Sequence, residues 1–333
     1  DCIIIHYSEI ALKGKNRPFF EKKLVENIRK ALKNEAVDEI KRAQGKIVVQ
    51  LNAASDVEKI ASSLGRAFGI AWFAPAYTTN QDVNSIGGLA VGKVKEFVAE
   101  DAIMKVFVKR SDKRFPLTSL ELGRQIGAKL VEKYNLKVSM KNPSLEVFVE
   151  IADGKSYIFF QKSRGLGGLP VGVSGKVLCL LSGGIDSAVA SWLIMKRGCE
   201  AHFLHFHPFR ENKEAIDSKV SELIKILTQY SFKSKAYFIP ATPFQFFTMN
   251  VPSRYDLVVF RRFMLKIAEK IAGQEGLKAV VTGDNLSQVA SQTLENLYAM
   301  EDSTSLPIFR PLLTYDKEDI ISMARKIGTY QIS

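Results

Sequence analysis

The run Ser182-Gly183-Gly184-Ile185-Asp186-Ser187 constrains this chain more than any other stretch, because an apolar strand-like segment (177–181) leads into it and a helical one (188–196) leads out. Two glycines at a strand-to-helix turn let the backbone approach an anion closely. The hydroxyls of Ser182 and Ser187 are placed to donate to phosphate oxygens, and the following helix offers free N–H groups with a partial positive charge. The turn therefore predicts a pyrophosphate cradle at Ser182, Gly183, Gly184 and Ser187. It is not a Walker loop. Such a loop needs Gly-x4-Gly-Lys followed by Ser or Thr, and the nearest approach, Gly175-Lys176-Val177, has Val177 where the hydroxyl belongs and Pro170 where the first glycine belongs. Asp186 inside the loop opposes an anion unless a cation lies between them. Magnesium is the expected cation, which makes Asp186 both a catalytic candidate and a metal contact.

Downstream of the loop the pattern alternates: strand 177–181 and helix, strand 201–206 and helix 213–230, strand 236–240, helix 257–272, strand 279–282 and helix 286–297. Alternation of this kind predicts a parallel, doubly wound sheet. Ligands of such sheets bind beyond the carboxyl ends of the strands, so His205-Phe206, Gly283-Asp284 and the Ser182 loop are expected on one rim.

The 333 residues are too many for one small domain. Residues 1–78 read strand, helix, strand, strand, helix, strand (3–7, 17–32, 39–42, 46–51, 56–64, 70–77), the order of a ferredoxin-like fold. From about 82 to 162 the order becomes helix 83–99, strand 104–109, helix 120–134, then strands 136–140, 145–151 and 157–161. This pattern resembles the small α/β module called THUMP. The formal charge of +12 is uneven: residues 1–173 hold 28 Lys and Arg against 19 Asp and Glu, a net of +9, and residues 174–333 hold 19 against 16, a net of +3. A basic surface away from the nucleotide loop suits a polyanionic partner such as nucleic acid. Lys105, Lys109, Arg110, Lys113 and Arg114, interleaved with Phe107 and Phe115, are the RNA-binding candidates, since cations and aromatics together suit phosphate contact and base stacking. No apolar run is long enough to span a bilayer, and no basic amphipathic helix points to a membrane surface. Three cysteines (Cys2, Cys179, Cys199) without a CxxC or His pairing favour neither a disulfide framework nor a zinc site, and imply a reducing cytoplasm.

The loop is similar to the SGGxDS signature of the PP-loop ATP pyrophosphatases, which cleave ATP between the alpha and beta phosphates and leave AMP on a substrate oxygen. Taken with Thr282-Gly283-Asp284-Asn285-Leu286-Ser287-Gln288-Val289-Ala290-Ser291-Gln292-Thr293, the GLPVG of 168–172 and the stretches Lys196-Arg197-Gly198-Cys199, Arg261-Arg262-Phe263-Met264 and 310–318, the whole chain resembles the tRNA 4-thiouridine synthetase (tRNA sulfurtransferase) family. The resemblance implies an α/β chain with an N-terminal ferredoxin-like domain (1–78), a THUMP module (79–165), a linker (166–175) and a doubly wound parallel-sheet PP-loop domain of the adenine nucleotide alpha hydrolase type (176–333).

It also implies that Leu180, Leu181, His205, Phe206, Arg261, Gly283 and Gln292 surround ATP, and that Lys317, at a helix start between Asp316 and Glu318, is catalytic beside Asp186. The implied reaction adenylates O4 of the uridine at position eight of tRNA, whereupon a persulfide sulfur displaces AMP. A cysteine desulfurase supplies the sulfur through a cysteine near the carboxyl end, and some family members also serve thiamine thiazole synthesis. The chain stops at Ser333, where the family continues into the segment bearing that cysteine, which is read here as a trimmed terminus. Cys179 and Cys199, in or beside strands, are poor substitutes. Oligomeric state stays open, a homodimer included. So do a 2-thiolating enzyme, a tRNA-binding protein with a non-catalytic ATP site and a small-molecule ligase, although the basic amino-terminal half is useless to the last.

Overall fold

A computed structural model describes residues 1–7, 9–99, 101–139, 141–248, 252, 255–289 and 292–333. Met140, at the end of an expected strand, and Ala290 and Ser291 of the 282–293 run lie outside the described residues. The chain divides into two compact units, Asp1–Gly167 and Gly168–Ser333.

The first unit runs β1 (Cys2–His6), α1 (Arg17–Ala31), β2 (Glu39–Ala43), β3 (Lys46–Gln50), α2 (Val57–Leu64), β4 (Trp72–Thr79), α3 (Val83–Val94), β5 (Ile103–Arg110), α4 (Ser119–Tyr134), β6 (Lys137–Val138), β7 (Leu145–Ala152), β8 (Lys155–Phe159) and β9 (Ser163–Arg164). Asp56 caps α2 by accepting from the Glu58 and Lys59 N–H groups, and Thr118 with Glu121 forms a capping box at α4. The ferredoxin-like and THUMP-like patterns merge into one sheet, ordered β2-β3-β1-β4-β8-β7-β5-β6. Strand β4 makes the join: Trp72 to Ala76 pair with β1, and Tyr77 to Thr79 pair with β8. Ser163 and Arg164, at the end of the expected THUMP module, pair with the start of β4.

One core of this unit packs α3 and α4 residues such as Ile86, Ala90, Leu122 and Ile126 on Met104, Val147, Val149 and Ile158. A second core contains no helix residue and gathers Cys2, Ile4, Val48, Ala74, Phe148, Tyr157 and Phe159 from strands of both patterns. At its edge lies a buried charge cluster. Glu150 accepts from His6 Nε2 at 3.1 Å and from Lys46 Nζ at 2.9 Å, and Lys46 is only 2% exposed. Burial pushes the Glu150 carboxyl up, but the hydrogen bond from His6 and the Lys46 charge outweigh it and bring the group down to about 2.

Breaking one member of such a buried set strands the other charges. Glu150→Gln should therefore lower unfolding stability by about 3–5 kcal/mol in urea titration at neutral pH. Because the folded carboxyl lies below its unfolded value, this stabilisation is present above the unfolded pKa, near 4.3, and is lost as pH falls toward about 2. Wild type and Glu150→Gln should thus converge in stability on acidification, and a gap that is independent of pH would refute the assignment.

The second unit runs β10 (Lys176–Leu180), α5 (Ile185–Lys196), β11 (Glu200–His207), α6 (Asn212–Ile216), α7 (Lys219–Ser231), β12 (Ala236–Pro240), α8 (Thr242–Thr248), α9 (Asp256–Glu275), β13 (Val280–Val281), α10 (Leu294–Glu301), β14 (Ile308–Phe309) and α11 (Lys317–Ile327). Its five strands pair in parallel in the order β12-β11-β10-β13-β14, a doubly wound sheet that reverses direction between β10 and β13. Among the described residues no helix is long and apolar enough to cross a membrane.

Three expected elements differ. The helix over 83–99 stops at Val94. The helix over 213–230 is two, because the Asp217 N–H closes α6 onto Lys213 and the Ser218 hydroxyl caps a fresh start at α7. Of the helix expected over 286–297, residues 286–289 are turn and bend, and helix begins at Leu294, where Thr293 caps α10. Leu286, Val289, Leu294 and Leu297 mimic helical spacing there, but Ser287 takes a positive φ of 59° and the Asn285 side chain is drawn off to donate to the Tyr315 carbonyl at 2.6 Å.

Candidate active site

Reversal of strand order opens a crevice at the carboxyl ends of β10 and β13, where ligands of open α/β sheets bind. A cavity of about 370 Å³ lies there. Leu180, Leu181, Ser182, Asp186, Ser187, Phe206, Arg261, Gly283 and Gln292 all line it, so the structure brings together nine of the residues named from the sequence. Gly183, Gly184, His205 and Lys317 are not in its wall.

The phosphate loop is held by its own side chains. Gly183 has φ +86°, a left-handed conformation that glycine adopts without strain. The Ser187 hydroxyl accepts from the Ser182 N–H at 3.1 Å and donates to the Gly184 carbonyl at 3.0 Å, while Ser182 Oγ accepts from the Gly184 N–H at 3.3 Å. Ser187 thus braces the turn rather than pointing outward. Gly184 caps α5 with no side-chain hydrogen bond, which leaves the first N–H groups of α5 without a capping side chain and open to an anion. Gly283 is a spatial necessity, since a Cβ there would stand 2.7 Å from the Ser187 nitrogen and 2.9 Å from the Asp186 carbonyl carbon.

Three carboxylates and three cations balance one another around the crevice. Lys317 Nζ donates to both Asp186 oxygens, at 2.8 and 3.0 Å. Arg261 donates to Asp284 Oδ1 at 2.8 Å, Arg310 Nε lies 3.7 Å from Asp284 Oδ2, and the other end of Arg310 donates to Glu301. Asp284, 6% exposed, also accepts from the Thr282 hydroxyl at 2.8 Å and from Gln292 Nε2 at 3.4 Å. With its nitrogen turned to a carboxylate, the Gln292 amide must present its oxygen, and that buried Oε1 has no partner among the described residues. An orphaned acceptor in a cavity wall is where a ligand N–H or O–H belongs.

His205 braces the rim. Its Nδ1 lies 2.7 Å from the Leu181 carbonyl and donates to it, tying the end of β11 to the end of β10. Burial holds its imidazole below the ordinary histidine range against the opposing pull of that carbonyl, and His207 lowers it further. Phe206 packs edge-on to Phe260 and Phe263 at 5.9 and 6.1 Å. Burial raises the thiols of Cys2 and Cys179, to about 11 and about 12, and that of Cys199, so none is a ready thiolate.

Asp284 was expected on the rim but without a role, Thr282 and Arg310 were not among the site residues expected from sequence, and neither were Leu257, Phe260 and Met264, which share one face of α9 with Arg261. The spacing of 257, 260, 261 and 264 on a helix was the available signal for the last group.

In the first unit the basic residues take several roles. Lys105 lies over the Phe107 ring at 4.5 Å, Lys109 approaches Glu150 at 3.9 Å, and Lys113 is exposed. Arg114 is 90% exposed and forks onto Asp112 at 3.0 and 2.9 Å. Arg110 donates to the Phe115 and Leu117 carbonyls at 2.8 and 2.6 Å and so fixes the turn after β5. Phe115 is 5% exposed within the helix-backed core, which withdraws it from the stacking suggested by its place among the cations.

A doubly wound sheet with an SGGxDS turn at its switch point, following a ferredoxin-like and THUMP-like sheet, defines a PP-loop nucleotide domain carried behind an RNA-binding type of module. Residues 172–333 match the family described as Thiamine biosynthesis protein (ThiI), 2–74 the ThiI ferredoxin-like domain and 85–161 the THUMP domain. The chain is 41% identical to a probable tRNA sulfurtransferase of Thermoanaerobacter sp. (strain X514), over 100% of this chain and 87% of that protein. It is 38% identical to a probable tRNA sulfurtransferase of Coxiella burnetii, over 99% and 86%. Its structure superposes with a TM-score of 0.89 and 34% identity on a 4-thiouridine synthetase solved with RNA and bound ATP, covering 99% of this chain and 86% of that one. The chain belongs to the tRNA sulfurtransferase family.

Asp284→Asn should reduce ATP-dependent turnover by about 10- to 100-fold, because it removes the charge that holds Arg261 and frees the Gln292 amide to turn over; steady-state assay of AMP release reads this. The depressed imidazole of His205 makes a second prediction. Its stabilising effect is present above the unfolded value, near 6.5, and is lost as pH falls through the folded value, so the melting midpoint of His205→Gln should vary less with pH than wild type between about 7.5 and 5.

Proposed function

We propose that this chain binds ATP and tRNA, adenylates O4 of a tRNA uridine and exchanges that oxygen for sulfur, giving 4-thiouridine. The observation that carries the reading is the pairing of a phosphate turn with the orphaned Gln292 oxygen in one crevice, which supports a nucleotide with polar edges rather than an apolar ligand. Gly183, Gly184 and the first turn of α5 would hold phosphates. Leu180, Leu181 and Phe206 would line the base pocket, and Arg261 would meet charge at the reacting phosphorus. Among the described residues no group of three or more His, Cys, Asp or Glu could hold a metal ion. Magnesium would then owe most of its ligands to the triphosphate, with Asp186, now held by Lys317, as its carboxylate contact.

In the proposed step uracil O4 attacks the alpha phosphorus, the bond to pyrophosphate breaks and pyrophosphate leaves with the electron pair. The N3 proton is released as the O4–phosphorus bond forms and the C4–N3 bond becomes double. A sulfur nucleophile then adds at C4 and AMP departs. Lys317, released from Asp186, would neutralise charge on the phosphates during displacement. Lys105, Lys109, Lys113 and Arg114 are proposed to meet the tRNA backbone, with position eight as the target uridine. A cysteine desulfurase as sulfur source, a homodimer, a cytoplasmic setting and a contribution to thiamine synthesis complete the reading.

The test incubates the protein with unmodified tRNA, magnesium, labelled ATP and sulfide, and follows AMP, pyrophosphate and the near-ultraviolet absorbance of thiolated uridine. All three are expected. Asp186→Ala should abolish AMP formation and leave tRNA affinity within about twofold. ATP consumption that survives this substitution would overturn the role given to Asp186, and an absence of AMP in wild type despite tRNA binding would reduce the chain to an RNA-binding protein.

A further inference from the structure

The cations already placed at the crevice are committed to carboxylates: Lys317 to Asp186, Arg261 to Asp284, and Arg310 to Asp284 and Glu301. Three positive and three negative charges leave this set neutral, a poor match for a polyanionic triphosphate. One further cation stands against the phosphate loop. A Cβ built on Gly183 would lie 3.3 Å from Lys219 Cε and 4.0 Å from its Nζ. Lys219 is exposed, and among the described residues it has no ion-pair partner.

Its position follows from the fold. Helix α5, which opens at the loop, packs against both α7 and α11. Lys219 is the first residue of α7, set there by the Ser218 hydroxyl cap, and Lys317 is the first residue of α11. The amino end of α5 is thus flanked by one lysine from each neighbouring helix. Of the two, only Lys317 has a carboxylate to hold it among the described residues, whereas the Lys219 ammonium stands beside Gly183 of the phosphate loop with its charge uncompensated.

We infer that Lys219 is a phosphate-binding residue of this site, which grips the beta and gamma phosphates of ATP and takes up the charge that accumulates on departing pyrophosphate. The inference rests on the reading of the crevice as an ATP site. It assigns to the β11–α7 connection a share in leaving-group stabilisation, opposite the share of Lys317.

Measurement of nucleotide affinity separates this role from a structural one, because AMP lacks the groups that Lys219 would touch. Wild type, Lys219→Met and Lys219→Arg are titrated with ATP, AMP and pyrophosphate in magnesium buffer by calorimetry. Lys219→Met is expected to weaken ATP and pyrophosphate about tenfold or more and to leave AMP within about twofold, while Lys219→Arg keeps most of the ATP affinity. An unchanged ratio of ATP to AMP affinity in Lys219→Met overturns the inference, as does an equal loss of both nucleotides, which would mark Lys219 as a support of α7. The outcome is separable from the sulfur chemistry: if the ratio shifts as expected but tRNA is not thiolated, the assignment of Lys219 stands and the thiolation reading falls.

Discussion

The close approach of Gly283 to the first turn of α5 is the constraint on which the crevice depends. Strand order places β13 directly beside β10, so the chain leaving β13 must cross the mouth of the phosphate turn within van der Waals reach of Asp186 and Ser187. Any side chain at 283 would collide with backbone, which cannot yield as the end of a flexible side chain can. Because Gly283 sits so deep, its neighbour Asp284 is carried into the crevice instead of remaining at the surface. From that place Asp284 collects Arg261 from α9, Arg310 from beyond β14, Thr282 and Gln292. A backbone contact thereby decides where four polar side chains stand.

A carboxylate in an anion site is repulsive only if counted alone. Asp186 and Asp284 each hold a cation in a fixed direction, so that a ligand enters a site whose cations are already oriented and whose charge is balanced. Such preorganisation lowers the reorganisation required when charge builds up at phosphorus. It also explains why Asp284, though expected on the rim, does not display its role in the sequence. Its partners are 23 and 26 residues away in the chain, and the local run Thr282-Gly283-Asp284-Asn285 displays a turn rather than a hub.

The parallel sheet and the phosphate turn were legible because they rest on local rules: apolar runs bounded by Gly, Ser and Asp, and a turn with two adjacent glycines. The segment 286–297 was not, since Leu286, Val289, Leu294 and Leu297 satisfy helical periodicity while Asn285 and Ser287 override it through a distant carbonyl and a positive φ. Phe115 was misjudged for a related reason. Neighbouring cations made it look like a stacking residue, but Arg110 bends the chain back and buries the ring beneath α4. In both cases a specific side-chain hydrogen bond outweighed the apolar or charge pattern, across 30 residues from Asn285 and across five from Arg110.

The two units show opposite ways of handling buried charge. In the first, Glu150, His6 and Lys46 join strands of the ferredoxin-like and THUMP-like patterns, and every member has a partner inside the protein. Satisfied internally, such a cluster fixes geometry and has nothing left for a ligand. In the second, Asp284 is satisfied but Gln292 Oε1 and Arg310 Nε, both in the wall of the crevice, are not. An unsatisfied buried acceptor costs stability until a ligand supplies the missing donor, so part of the binding energy of that ligand is relief of a cost already present in the free protein. By this criterion the charge cluster of the first unit is architecture and that of the second is a site, a distinction drawn by hydrogen-bond accounting alone.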